Sequence, residues 1–176
     1  MNHTPVTLNE KCRNNLLQLA EYLIRGELKA RFSMDQFAEQ QYGHTECGTV
    51  GCAVGHGPHA GIHKLANESW VEYSYRCFVM DSDAKKNDSN ESEVSPWNWC
   101  FGASWSEFDN TAVGAARRIV YMLVYGVPDV YESQGVELYK TLIGNNWEFI
   151  LMQYPELRTG EVVVRECPIK VLPQIR

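Results

Sequence analysis

A chain of 176 residues with a formal charge of −6, 44% apolar and 22% charged residues is ordinary for a globular protein and long enough to bury a substantial core. Its acidic balance excludes the electrostatic footprint of a general nucleic-acid binder, and its carboxylates are too dispersed for a nucleic-acid mimic. No apolar run approaches the roughly 20 residues that span a bilayer. Residues 1–5 lack the basic and apolar regions of a secretory leader, so a cytoplasmic location is expected, with the six cysteines as thiols.

In chain order, Thr7-Leu8-Asn9-Glu10 has the form of a capping box with Thr7 as N-cap. Leu8, Cys12, Leu16, Leu19, Ala20, Leu23 and Ile24 then follow helical spacing, and Gly26 supplies a stop. Phe32, Met34 and Phe37 read as a tether docked on the core. The window over residues 47–63 follows, with two cysteines, three histidines and five glycines. A short, tightly packed helix from near Thr49 is expected there, broken by Gly57-Pro58. Trp70, Tyr73, Tyr75, Phe78 and Met80 suit either a helix or a strand.

Residues 81–95 are polar throughout and predict a surface loop that does not divide the domain. The alternation of Trp97, Trp99 and Phe101 predicts a short strand with one aromatic face. Asp109-Asn110-Thr111 offers N-caps to a helix over residues 111–125, whose stripe is Ala112, Ala116, Ile119, Val120, Leu123 and Val124 and whose stop is Gly126-Val127-Pro128. Shorter helices are expected over 136–143 and 147–152, and a strand over 161–166. The pattern predicts a compact, mainly helical α+β domain over residues 1–176 with a few short strands.

The run Cys47-Gly48-Thr49-Val50-Gly51-Cys52-Ala53-Val54-Gly55-His56, then Trp97-Asn98-Trp99-Cys100-Phe101, Trp105, Asp109-Asn110-Thr111 and Gly114-Ala115-Ala116-Arg117-Arg118-Ile119, resembles a set of uncharacterised bacterial and phage proteins. The resemblance covers residues 8–128 and implies a bacterial or phage origin, hence the host cytoplasm if phage-encoded; it implies no mechanism.

Three chemistries compete at the glycine-rich window. A Cys/His-dependent hydrolase would use Cys47 or Cys52, with the thiolate favoured by a helix N-terminus. Cys47-Gly48 with a second cysteine resembles the nucleophile segment of papain-like and bacteriocin-processing peptidases. Those families place their base histidine well downstream, whereas no histidine follows His63 here. A zinc-stabilised interaction module would draw on Cys47, Cys52, His56 and His59 or His63, but the pattern lacks a Cys-x-x-Cys knuckle.

A ligand-binding loop would use the freedom of Gly48, Gly51, Gly55 and Gly57 to bring backbone amides close to an anion. The same glycines equally serve close packing. Arg117 and Arg118, off the apolar stripe, suit an anion clamp, a solvated face or an ion pair with Asp109 or Glu107. Trp97, Trp99 and Trp105 suit an aromatic platform, though core packing is the commoner fate of such side chains.

The sequence reading is a non-enzymatic binding protein that takes a small anionic, nucleotide-like ligand or a host protein. Cys47, Gly48, Thr49, His56, His59, Trp99 and Arg117 are its candidate binding residues. It assigns no catalytic residue, no metal and no cofactor, and leaves the oligomeric state open.

Overall fold

Described in the structure, a computed structural model, are residues 3–29, 31–34, 50–78, 95–128 and 152. The polar loop before Ser95, the element expected over 136–143, most of that over 147–152 and the strand over 161–166 fall outside these residues, as does Phe37.

Helix α1 spans Glu10–Arg25, two residues later than a Thr7 cap would set it. Asn9, in extended geometry, accepts the Cys12 N–H at 2.8 Å. Asparagine is among the strongest N-caps, so it displaces the expected box. Gly26 ends the helix at φ 71°, the left-handed conformation that a glycine adopts freely. Cys12, Leu16, Leu19, Ala20 and Leu23 are buried along one face.

The glycine-rich window is not the expected helix. Val50–Gly51 forms strand β3, paired in parallel with β2 at Arg31–Phe32, and only Val54–His56 makes a single 3-10 turn. Each glycine costs a helix about 1 kcal/mol relative to alanine, and Pro58 forbids continuation. A two-residue parallel pair and a tight turn satisfy the backbone at lower cost.

Helix α2 covers Trp70–Phe78, which resolves the ambiguous aromatic segment. A reciprocal cap starts it: the Glu72 N–H donates to Ser69 Oγ at 3.2 Å, and the Ser69 N–H donates to Glu72 Oε2 at 2.8 Å. The expected Trp97–Trp99–Phe101 strand is helix α3, Pro96–Phe101. Ser95 caps it by accepting the Asn98 N–H at 3.0 Å, and Pro96 occupies the first turn, where its missing N–H is harmless. Those end signals outweigh a three-member alternation.

A one-turn helix, α4 (Trp105–Phe108), leads into α5 at Ala112–Tyr125. Thr111 caps α5 by accepting the Gly114 N–H at 3.0 Å, in agreement with the helix expected over 111–125. The molecule is α+β and mainly helical, with α5 packed against α1 and α3, and α2 against α1. Strand β1 (His3–Thr4) closes the frame by pairing antiparallel with β4 (Val127–Pro128) at the end of α5. His3 Nε2 also hydrogen-bonds the Tyr121 hydroxyl at 2.8 Å.

Arg118 is neither solvated nor a clamp: it is fully buried. Its guanidinium lies 4.3 Å from the Trp105 ring centroid and pairs with Asp109 at 3.7 Å. Desolvating a guanidinium costs several kcal/mol, part of which the ring contact and the ion pair offset.

At Gly126, φ is 85° and an added Cβ would stand 2.4 Å from the Thr4 carbonyl oxygen. Gly126→Ala therefore strains the turn and drives β1 off β4. It should destabilise the protein by about 2 kcal/mol or more in chemical denaturation; an unchanged midpoint contradicts this packing.

Candidate functional site

The structure brings two of the predicted site residues together. His56 ends the 3-10 turn and has 0% exposure. Its ring stacks on Phe32 at 5.7 Å and 21°, meets Tyr22 at 6.1 Å, and lies 6.1 Å from the half-buried ring of His59. The cluster thus joins α1, β2 and the turn over residues 54–62. Tyr22 and Phe32, like His59, are only half-buried, in contrast to the sealed imidazole. Of the window's three imidazoles, one is inside, His59 is at the boundary, and His63 is exposed.

Sequence reasoning missed Tyr22 and Gln18. The signal was available: they are four residues apart on α1, which places them on one helical face. Gln18 Nε2 donates to the Ala60 carbonyl at 2.6 Å, and the Tyr22 hydroxyl accepts the Lys29 N–H at 3.2 Å. Exposed cationic residues flank the cluster in sequence: Arg25, which pairs with Glu21, then Lys29 and Arg31.

The remaining candidates divide. Cys47, Gly48 and Thr49 lie outside the described residues. Trp99 is 0% exposed and belongs to the core. Its Nε1–H donates to the Arg118 carbonyl at 3.0 Å, and its ring meets Trp105 edge-on at 5.6 Å. As a platform for a ligand it would need exposure that it does not have. Arg117 is half-buried on α5, whereas the ring cluster around His56 is built from α1, β2 and the turn.

Among the described residues, Cys12, Cys52, Cys77 and Cys100 are buried thiols. Burial pushes the Cys77 thiol above its ordinary value, which disfavours the thiolate needed for nucleophilic attack. Cys52 and His56 are adjacent in the turn, since the His56 N–H donates to the Cys52 carbonyl at 3.2 Å. Among the described residues, no three His, Cys, Asp or Glu side chains gather as a metal site.

Two side chains on α2 fix how the turn leaves the site. The buried Tyr73 hydroxyl donates to the Ile62 carbonyl at 2.7 Å. It fills the space beside Gly57, where an added Cβ would stand 2.1 Å away. Arg76 Nη2 donates to the His63 carbonyl at 2.9 Å and to Glu68 Oε2 at 2.7 Å. That carboxylate also accepts the Leu65 N–H at 2.9 Å.

The Arg76 hydrogen bond draws the Glu68 carboxyl down from 4.5 to about 2. A lowered folded-state value gives stability that is complete above the unfolded value and is lost as pH falls toward the folded one. Between pH 4.5 and about 2, wild type should therefore lose melting temperature more steeply than Glu68→Gln. Parallel melting curves across that window contradict the assignment.

Among the described residues no helix is long and apolar enough to cross a membrane. Compared with protein-family models, curated proteins and solved structures, the chain matches none of them.

Proposed function

We propose that the chain is a non-enzymatic binding protein of bacterial or phage origin, acting in the bacterial cytoplasm. Its ligand is a small anion with a planar ring, of the nucleotide kind. The observation that carries this reading is the ring cluster. Half-buried Tyr22, Phe32 and His59 surround the fully buried His56 imidazole, and exposed Lys29 and Arg31 lie in the adjoining segment.

Half-buried aromatic side chains can take a planar ring by stacking, and the cations of the adjoining segment with a ring N–H would take the anionic group. Burial of Cys52 counts against that thiol as the nucleophile of a cysteine hydrolase. A host-protein partner is the second reading. It is favoured by three exposed apolar side chains: Val71 and Tyr75, one turn apart on α2, and Leu65 before it, at 43, 65 and 59% exposure.

A thermal-shift screen against AMP, ADP, cyclic AMP, their guanine counterparts and inorganic phosphate tests the ligand reading. At 100-fold excess over the dissociation constant, binding adds about 2.7 kcal/mol, a rise of roughly 5–10 °C for a protein of this size. His59→Ala should abolish most of that rise. No shift with any of these probes, or an undiminished shift in His59→Ala, overturns the proposal.

A further inference from the structure

The turn over residues 57–62 keeps its internal shape with its own amides. The Ala60 N–H donates to His56 O, the Gly61 N–H to Pro58 O and the Ile62 N–H to Gly57 O, at 3.0, 3.1 and 3.0 Å. Two of its carbonyls are instead taken by side chains from two helices. Tyr73, fully buried on α2, holds the Ile62 carbonyl at 2.7 Å. Gln18, half-buried on α1, holds the Ala60 carbonyl at 2.6 Å.

Gly61, at φ +88°, leaves room for this second contact, since a Cβ there would stand 2.9 Å from Gln18 Nε2. The inner half of the turn is thus locked into the core. The outer half, where His59 precedes Ala60, is fastened to α1 by the Gln18 amide.

We infer that Gln18 is a positioning residue for the ligand site: through the Ala60 carbonyl it fixes where the His59 ring stands against the His56–Tyr22–Phe32 cluster. This rests on the reading of that cluster as a ligand site. Tyr73 is part of the core, so its loss would disturb α2 and the turn together. Gln18 is different, because without its amide the turn keeps its internal bonds and its Tyr73 anchor, and only the His59 end gains freedom. A site whose ring must be ordered on binding takes its ligand more weakly than one held in place beforehand.

The test compares histidine ring Cε1–H signals by NMR in the unliganded full chain. The proteins are wild type, Gln18→Met, which keeps the side-chain length and loses the donor, and Gln18→Lys, which restores a donor. A single narrow His59 signal in wild type and Gln18→Lys, broadened or split in Gln18→Met while His63 is unchanged, supports positioning. A His59 signal in Gln18→Met identical to wild type overturns it.

If Gln18→Met does not fold, the side-chain amide protons of Gln18 in wild type decide. Slowed exchange supports the bond to Ala60, and exchange at the rate of a free glutamine overturns it. In the binding arm, ADP and inorganic phosphate are the probes, and Gln18→Met should bind roughly 3- to 10-fold more weakly. A wild type that binds neither probe counts against the ligand reading alone, since the ring signals are read without ligand.

Discussion

The packing of α1 on α5 is the constraint from which the remaining structure hangs. Ala20 on one helix and Ala115 and Ala116 on the other are fully buried, and Leu16, Leu19, Leu23, Ile119 and Val120 are sealed in the same core. Neither helix is stable alone at this length in water. Each is capped at its N-terminus by a side chain, Asn9 or Thr111, and ended by a glycine. Among the described residues, other elements join this frame by specific contacts. Helix α3 is held by the Trp99 indole on the Arg118 carbonyl, and α4 by Trp105 under the Arg118 guanidinium. The segment after β2 is held by the Asn110 side chain, which accepts the Met34 N–H at 2.7 Å.

Much of this frame was legible in the sequence, because long amphipathic stripes and end signals are local. Helices α1 and α5 follow from apolar spacing with Gly26 and Gly126 as stops. The failures have local causes of a different kind. Alternating Trp97, Trp99 and Phe101 imitated a strand, but Ser95-Pro96 is a helix start, and six residues are too few for periodicity to outvote it. Arg118 seemed to stand off the apolar stripe. Only tertiary structure supplies Trp105 and Asp109, which let a guanidinium enter the core. The glycine window defeated periodicity altogether, since its strand exists only through pairing with Arg31–Phe32, nineteen residues earlier in the chain.

The candidate site was half legible. Cysteine and histidine density singled out the stretch, but not which of its side chains face inward. Burial sorts them: Cys52 and His56 belong to the interior, and His59 stands at its edge. Gln18 and Tyr22 share one helical face by their four-residue spacing, but that α1 lies beside the turn is set by tertiary packing, which the spacing does not reveal. Helix α1 packs Tyr22 against the buried His56 ring, and the half-buried His59 meets that ring from the turn.

Held by Gln18 and Tyr73, a short glycine-rich turn with no regular structure beyond one 3-10 turn is as rigid as the helices beside it. Native-state hydrogen exchange measures this directly. The amides of Ala60, Gly61 and Ile62 should exchange only through openings close in free energy to global unfolding, alongside those of Leu19 and Ile119. Exchange of the three turn amides at near-random-coil rates, while the helices stay protected, would contradict the account.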